Sequence, residues 1–391
     1  MKSLPKILQQ KLEERKANNA LRKLGVQHNL IDFSSNDYLG FSKNEVVFNK
    51  AHEFLIENNM PQNGATGSRL LSGNHKLYNS VETVLCNFHK SESALVFNSG
   101  YDANVGFFSS VPQRGDIILY DEYIHASIRD GISMSHAKGY KFKHNNLEAL
   151  EHLILRHSNH VSETHKNIYI ITESVFSMDG DSPDLVKFSE ISKKYNSLLI
   201  VDEAHAIGVL GKQGAGLIAD LGLEKDVFAR IITFGKAMGC HGAAILSNES
   251  LKQYLVNFSR SFIYTTALPP HSLATIYVVY NELLIISNVA EFNNSIQELH
   301  KNIQFFKAEI IKNKLESIFI ESHSAIHCCV ISGNDKVKVI AKRLQEKRFD
   351  VKPILSPTVP KGQERLRFCL HAFNTEKEIS EVLKGLATFV V

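Results

Sequence analysis

The middle of the chain alternates short apolar runs with amphipathic segments, and this alternation restricts the fold more than any other feature. Several runs are rich in Ile, Leu and Val and unbroken by polar residues, which is typical of parallel strands buried on both faces. Strand, helix and strand repeated in this order predict an α/β domain with a mostly parallel sheet. The runs lie at residues 94–97, 116–120, 167–172, 198–202, 229–234 and 242–247.

One intervening helix carries a start signal in its sequence. Ser182 is a good N-cap residue, and Pro183 suits the first helical position because its missing N–H is not needed there. Leu185, Phe188 and Ile191 then follow on one face. We therefore predict that this helix begins at Pro183.

The pattern changes beyond about residue 285, where long helical stretches enclose strand-like runs. This is typical of a smaller α+β unit. The beginning of the chain contains one amphipathic helix followed by a short strand-like run. We therefore predict an N-terminal arm over residues 1–45, a large domain over 46–285 and a small C-terminal domain over 286–391.

Composition excludes several classes of function. A net charge of +3 over 391 residues is too small to indicate a nucleic-acid partner. The five cysteines form no CxxC pair, so reduced thiols are a better interpretation than disulfides or structural zinc. No stretch approaches the roughly 20 apolar residues of a transmembrane helix, and the first residues lack a secretory signal. We expect a cytoplasmic protein without membrane or nucleic-acid partners.

Polar residues follow the predicted strands at the edge where open parallel sheets bind their ligands. Because the carboxyl ends of parallel strands meet at one edge, these residues should converge on one site. They are Ser99, Gly100, Tyr101, His125, Ser177, Asp202, His205, Thr233 and Lys236.

A lysine, an aspartate and a phosphate cradle are what pyridoxal phosphate requires of a protein. Lys236 can form a Schiff base with the aldehyde, and Asp202 can keep the pyridine nitrogen protonated. Gly100 opens a helix whose first N–H groups suit a phosphate, and the hydroxyl of Thr233 can add to them. His125 can stack on the ring. These residues predict a pyridoxal-phosphate site.

Each residue also has a simpler interpretation. Lys236 alone fits a solvated loop lysine, whereas Asp202 and His205 fit a helix cap and a core histidine. No third ligand with suitable spacing accompanies them, so no metal site is predicted. The glycine-rich run at 211–216 lacks P-loop spacing and predicts a tight turn before a helix.

Nine segments spread along the chain resemble the α-oxoamine synthases, a family of pyridoxal-phosphate enzymes. The resemblance implies the aspartate-aminotransferase-like fold, fold type I. In this fold a large domain with a mostly parallel sheet is joined to a smaller C-terminal α+β domain. The segments are SSNDYLG (34–40), TGSRLLSGNH (66–75), FNSGYDAN (97–104), HAS (125–127), ESVFSMDGD (173–181), VDEAHAIGVLGKQGAG (201–216), TFGKAMG (233–239), IYTTALPP (263–270) and PTVPKGQERLR (357–367).

The resemblance implies a role for each matched position. Lys236 would carry the cofactor and shuttle protons, Asp202 would pair with the pyridine nitrogen, and His205 with the ring phenolate oxygen. His125 would stack on the ring, so these four are the predicted catalytic residues. The other predicted cofactor contacts are Ser99, Gly100, Tyr101, Ser177 and Thr233, together with Thr265 and Thr266 acting across a homodimer. The predicted substrate contacts are Arg22, Asn36, His125 and Thr358.

The implied reaction condenses an amino acid with an acyl thioester and releases CO2. Within the family, the short arm with LEERKANNALRKL (12–24) most resembles that of the enzymes that use L-alanine and pimeloyl-CoA, or pimeloyl carrier protein. The product would be 8-amino-7-oxononanoate for biotin synthesis. The alternatives are a glycine C-acetyltransferase, a serine palmitoyltransferase-like enzyme and, in another class, a non-catalytic scaffold subunit.

One position departs from the family pattern. An arginine that binds the substrate carboxylate is expected three residues before Thr358, and this chain has Leu355 there. Lys352, Arg69 and Arg260 are the candidates to replace it. The sequence leaves the choice among them open.

Overall fold

The computed structural model describes residues 3–22, 24, 29–158, 166–284 and 290–390. It divides into two units, each assembled from separate stretches of the chain. The first unit comprises Met1–Ser35, Met178–Gly180 and Lys301–Val391, and the second comprises Asn36–Ser177 and Asp181–His300. The arm and the two domains proposed from the sequence, with boundaries at 45 and 285, stay a prediction.

The elements are numbered in chain order over the described residues. The strands are β1 Ile31–Asp32, β2 Ser93–Phe97, β3 Ile117–Asp121, β4 Lys138–Phe142, β5 Ile168–Glu173, β6 Leu198–Asp202, β7 Ala229–Thr233, β8 Ala243–Ser247, β9 Ile326–Val330, β10 Phe349–Asp350, β11 Lys352–Ile354 and β12 Arg365–Cys369. The helices are α1 Lys6–Ala17, α2 Glu45–Glu57, α3 Lys76–His89, α4 Gly100–Ser110, α5 Ala126–Met134, α6 Leu147–Ser158, α7 Leu185–Lys194, α8 Leu217–Asp220, α9 Glu249–Phe258, α10 Arg260–Ile263, α11 Pro270–Leu284, α12 Ala290–Lys312, α13 Asn334–Glu346 and α14 Glu376–Val390.

The second unit is built on a sheet whose described strands have the order β2-β8-β7-β6-β5-β3-β4. β8 runs antiparallel to β2 and β7, and the other neighbours are parallel. The prediction of a mostly parallel sheet is therefore confirmed. Each predicted apolar run forms a strand. The sequence did not predict β4, because this edge strand carries the exposed Lys138 and Lys141 instead of an apolar run.

Both faces of this sheet are covered by helices, which explains the unbroken apolar runs. Ile171 and Ile200 pack with residues of α4, α5 and α9 on one face. Their chain neighbours Ile170 and Leu199 pack with residues of α6 and α7 on the other. Successive strand side chains point to opposite faces, so a strand with two covered faces needs apolar residues at every position.

The predicted start of the helix after β5 is wrong by two residues. α7 begins at Leu185, and its N-cap is Asp184 instead of Ser182. The Asp184 carboxylate accepts a hydrogen bond of 3.1 Å from the backbone N–H of Lys187. Aspartate and serine cap helices about equally well, so the cap signal alone does not choose between two candidates this close together.

The first unit contains two small sheets among its described residues, β1-β10 and the antiparallel β11-β12-β9. Cys328 and Cys329 of β9 are fully buried, so they are core residues. Every residue of α1 is exposed. Across the described ranges, no helix combines the length and the apolar character needed to cross a bilayer.

Candidate active site

A cavity of about 200 Å³ lies in the second unit, at the carboxyl ends of β5, β6 and β7. Its position is the one at which open parallel sheets bind ligands. Most of the residues predicted from the strand ends therefore meet at one place. Those that line the cavity are Gly100, Tyr101, His125, Asp202, His205, Thr233 and Lys236.

Lys236 follows β7 in a tight loop and is half-buried. Backbone hydrogen bonds close this loop, from Phe234 N–H to the Gly242 carbonyl and from Gly239 N–H to the Lys236 carbonyl, both 2.9 Å. Gly239 has a φ of 61°, and a Cβ there would lie 2.3 Å from the backbone nitrogen of Ser42. Only glycine fits, so this turn fixes the position of Lys236.

Asp202 ends β6 and is 5% exposed. One carboxylate oxygen accepts a 2.9 Å hydrogen bond from the N–H of Ala204, and the other accepts a 2.9 Å bond from the amide of Asn104. A buried carboxylate needs such partners, because burial without them costs several kcal/mol. The strand end and the neighbouring helix α4 together supply them.

His205 is buried and contacts Tyr38, a residue of the SSNDYLG segment that has no exposed surface. The Tyr38 hydroxyl lies 2.8 Å from His205 Nδ1 and donates to Asn36 Oδ1 at 3.1 Å. Asn36 does not line the cavity, but Tyr38 connects it to a residue that does. The predicted substrate residue Asn36 and the predicted cofactor residue His205 thus share one hydroxyl.

His125 is the N-cap of α5 and opens onto the cavity. Its backbone N–H donates to Glu173 Oε1 at 2.5 Å. Desolvation by the surrounding protein lowers the pKa of His125; the Asp202 charge opposes this shift and the Lys236 charge adds to it. The imidazole is therefore neutral at pH 7, which suits a ring that stacks on a cofactor and donates a hydrogen bond.

Sequence reasoning assigned no role to Glu173, which ends β5 and lines the cavity. It stands beside Asp202 in the register of β5 and β6 and is 4% exposed. Burial raises the pKa of Glu173 well above its usual range, and the adjacent Asp202 charge raises it further. Both effects favour the neutral form of Glu173, whereas the Lys236 charge and the hydrogen bond from the His125 N–H oppose the shift.

The N-terminus of α4 fits a phosphate group. Gly100 and Thr233 both line the cavity, and a Cβ on Gly100 would lie only 3.7 Å from Thr233 Oγ1. Ser99 caps α4 by accepting from the N–H of Asp102 at 3.1 Å, and Tyr101 donates to Asp130 at 2.6 Å. Helix N–H groups and a hydroxyl can donate to a phosphate, a carboxylate can accept from a protonated pyridine nitrogen, and an amine can form a Schiff base, so these residues fit pyridoxal phosphate.

Other predicted residues lie outside the described cavity lining. Ser177 is half-buried in the second unit. Thr265 accepts from the amide of Asn98 at 3.0 Å, and the carbonyl of Thr266 accepts from the same amide at 2.6 Å. Arg22 and Thr358 belong to the first unit, where both are exposed. Their roles stay predictions.

The sequence matches the family described as aminotransferase class I and II over residues 28–386. The chain belongs to this family. It is 38% identical over 402 aligned positions to the 8-amino-7-oxononanoate synthase of Emericella nidulans, covering 100% of this chain and 96% of that one.

Solved structures agree with this membership of the aminotransferase class I and II family. An 8-amino-7-oxononanoate synthase from Francisella tularensis superposes with a TM-score of 0.75 at 30% identity, covering 92% of this chain and 97% of that one. A serine palmitoyltransferase from Sphingomonas wittichii superposes with a TM-score of 0.87 at 25% identity, covering 99% and 98%.

These similarities confirm the predicted family and the aspartate-aminotransferase-like fold. The predictions of an enzyme resembling 8-amino-7-oxononanoate synthase and of pyridoxal phosphate as its cofactor are confirmed with them.

The candidates to replace the missing family arginine differ in their contacts and in their exposure. Arg69 donates to Glu82 at 2.6 Å, and its guanidinium lies 3.8 Å from the centre of the Tyr78 ring. These contacts bind Arg69 firmly in the protein. Lys352 pairs with Asp350 in the first unit, whereas the exposed Arg260 lies over the Tyr264 ring. Lys352 and Arg260 are more exposed than Arg69, and the choice among the three stays a prediction.

A second charged cluster lies at the carboxyl end of β3. The His144 ring is held between two carboxylates, with Nδ1 2.9 Å from Asp121 and Nε2 2.9 Å from Asp181. The ring also stacks on Tyr123, with centroids 4.4 Å apart. Burial alone would lower the pKa of His144, but the hydrogen bonds and charges of both aspartates raise it to about 10.

Because the pKa of His144 is raised, the free energy of unfolding should change with pH in the alkaline range. The pKa of His144 is raised on folding, so its stabilisation is full below the ordinary value of 6.5 and is lost as pH rises towards 10. We expect urea unfolding at pH 6 to show His144→Gln less stable than the parent by roughly 2 to 4 kcal/mol. The difference should shrink by pH 10. The exposed His152→Gln is the control, and a difference independent of pH would contradict the prediction.

Proposed function

We propose that the chain is a homodimeric, cytoplasmic enzyme that condenses L-alanine with pimeloyl-CoA or pimeloyl carrier protein. The products are 8-amino-7-oxononanoate, CO2 and the free thiol of the carrier, as a step of biotin synthesis. The convergence of Lys236, Asp202 and His125 on one cavity is the observation that carries the proposal. The similarity to relatives named 8-amino-7-oxononanoate synthase supports the choice of substrates.

Lys236 has two roles in this proposal. Its amine is the attachment point for pyridoxal phosphate, which when bound supplies an electron sink for a carbanion on the substrate. The same amine removes the proton from the alanine Cα and later returns a proton to the product. The tight loop after β7 keeps the amine close to one place in the cavity, which favours both transfers.

The remaining catalytic residues are proposed to orient the cofactor ring and to polarise the substrate carbonyl. Asp202 would hold a proton on the pyridine nitrogen, and His205 would donate to the phenolate oxygen of the same ring. His125 would cover the ring face and polarise the carbonyl of the acyl thioester. Gly100, Tyr101 and Thr233 would hold the phosphate beside the N-terminus of α4, and Ser99 and Ser177 are the other proposed cofactor contacts.

The proposed homodimer accounts for the position of Thr265 and Thr266. Both lie outside the described cavity lining of their own chain, so they are available to a phosphate in a second copy. The second unit also exposes large apolar side chains that a dimer interface would bury. Leu71 is 84% exposed, Tyr264 73% and Phe48 62%.

Asn36, His125, Arg22 and Thr358 are the proposed substrate contacts. The backbone segment with Thr358 also carries Leu355 in place of the family arginine, so the amino-acid carboxylate requires another cation. Glycine or serine in place of alanine would make the chain a glycine C-acetyltransferase or a serine palmitoyltransferase-like enzyme. A scaffold subunit is disfavoured, because Lys236, Asp202 and His125 are all present.

The first test is the visible absorption spectrum of the purified full chain with added pyridoxal phosphate. We expect a yellow band that L-alanine perturbs at lower concentration than glycine or L-serine. Pimeloyl-CoA should then yield CO2 and a free thiol in equal amounts. A band that responds best to glycine or serine would keep the family and change the substrate. A protein that stays colourless would overturn the proposal.

A further inference from the structure

A continuous line of hydrogen bonds runs from the buried Asp202 to His125. The amide nitrogen of Asn104 lies 2.9 Å from Asp202 Oδ2 and 3.0 Å from Ser127 Oγ. Ser127 Oγ in turn lies 2.7 Å from His125 Nδ1. Asn104 is 3% exposed and Ser127 is 0% exposed, so protein atoms rather than bulk water decide which groups donate.

The donors in this line can be assigned one by one. An ionised carboxylate only accepts, so the Asn104 atom that faces Asp202 is the amide nitrogen with its two N–H groups. Its second N–H donates to Ser127 Oγ. The single proton of the Ser127 hydroxyl is then left for His125 Nδ1.

The backbone N–H of Ser127 identifies His125 Nδ1 as an acceptor independently of the Asn104 assignment. The N–H of Ser127 can only donate, and it lies 3.2 Å from the same Nδ1 atom. Nδ1 of His125 is therefore an acceptor, and the proton of the neutral ring must be on Nε2. Nδ1 is turned towards Ser127, so Nε2 is the ring nitrogen that remains for a ligand in the cavity.

The orientation of the Asn104 amide leaves one of its buried atoms without a hydrogen bond in the described part of the chain. Its Oδ1 is buried without a hydrogen-bond partner in the described part of the chain. Turning the amide over would place Oδ1 against the Asp202 carboxylate, which is worse. A buried acceptor left without a partner is rare enough in proteins to need an explanation, and a site that requires this donor direction supplies one.

We propose that Asn104 and Ser127 are positioning residues that hold neutral His125 in the tautomer with its proton on Nε2. His125 then presents an N–H donor to the cavity without carrying a charge. The direction of the donor rests on the hydrogen bonds alone. Its target, the carbonyl oxygen of an acyl thioester, rests on the proposed function.

The charged groups around His125 are consistent with a neutral ring. Lys236 disfavours a second positive charge beside it, whereas Asp202 and Asp130 favour one. Glu173 accepts a hydrogen bond from the backbone N–H of His125, and burial raises the pKa of this carboxyl, which reduces its negative charge beside the ring. Loss of the Ser127 hydroxyl removes a donor that stabilises the neutral ring, so it should raise the pKa of His125.

The tautomer is tested directly by nitrogen NMR of the full chain labelled with ¹⁵N-histidine, with and without pyridoxal phosphate. His125→Gln assigns the two ring signals. We expect the parent to show a protonated Nε2 and an unprotonated Nδ1. Ser127→Ala keeps only the longer backbone N–H bond to Nδ1, so it should show a minor fraction of the other tautomer. A parent spectrum with the proton on Nδ1 would overturn the proposal. The measurement without cofactor is informative even if Lys236 binds none.

Kinetics then separates positioning from general structural damage. Ser127→Ala should lower kcat/KM about tenfold and move the acidic limb of its pH profile to higher pH. In a His125→Gln background the same change should have less than about a twofold effect, because Ser127 acts through His125. Asn104→Leu should also lower kcat/KM, but part of its loss should persist without His125, because Asn104 donates to Asp202 as well. Ser189→Ala, a buried serine of α7, is the matched control. Equal losses with and without His125 would show that Ser127 is only structural.

Discussion

Replacing Lys236 with alanine is expected to lower kcat/KM by at least about a thousandfold and to abolish the yellow colour of the protein. The amine is proposed both as the covalent attachment point of the cofactor and as the base for the Cα proton. Loss of a positioned base alone typically costs between about a hundredfold and ten-thousandfold. The measurements are the steady-state rate with L-alanine and pimeloyl-CoA, and the absorption spectrum.

The matched control is Lys212→Ala, which removes an exposed lysine of the turn between β6 and α8. It should leave the spectrum and the rate unchanged. The melting temperature of both variants should stay close to that of the parent, because Lys236 is only half-buried. If Lys236→Ala kept activity within tenfold of the parent, the catalytic assignment would be wrong.

The parts of this fold that could be predicted from sequence are those that depend on local pattern. Strands buried on both faces, such as β6, are continuous apolar runs and were found. β4 was missed because an edge strand with exposed lysines has no such run. The start of α7 was misplaced because Ser182 and Asp184 are both suitable caps, and the choice between them depends on the final backbone.

The site residues also divide into those that could be predicted from the sequence and those that could not. Residues at strand ends, such as Asp202 and Lys236, could be predicted because parallel strands bring their ends together. Asn104, Ser127 and Glu173 stand in the quoted family segments, but no local rule assigns them a function. Their importance lies in which atom donates to which across α4, α5 and β5, and that information is present only in three dimensions.

A buried ion pair stabilises the end of β6, where Asp202 lies. Arg230 of β7 and Glu203, the residue after Asp202, form hydrogen bonds of 2.6 and 2.7 Å and are 2% and 0% exposed. Arg230 also donates to the carbonyls of His89 and Ala215 at 2.9 and 3.0 Å. Glu203 accepts further bonds from Ser174 and from the N–H of Ile218. The pair is thus satisfied on both sides, which a buried charge requires.

Replacing Arg230 with methionine is expected to lower the free energy of unfolding by roughly 3 to 5 kcal/mol. The loss arises because Glu203 is left as a buried charge without its partner, and because the His89 and Ala215 carbonyls lose a donor. Urea unfolding followed by circular dichroism measures the effect. Because Glu203 is joined directly to Asp202, the variant should also bind pyridoxal phosphate more weakly.

A second substitution identifies the cause of this loss. In the Arg230→Met background, Glu203→Gln removes the unpaired charge while keeping an oxygen that can accept from Ser174 and Ile218. The double variant should therefore recover a large part of the lost stability, although Gln at this position destabilises the parent. Arg114→Met, which replaces an exposed arginine, should stay within about 0.5 kcal/mol of the parent. If Arg230→Met were as stable as that control, the pair would contribute nothing to holding the strand end, and the position of Asp202 would have to be explained by its own hydrogen bonds to Asn104 and Ala204.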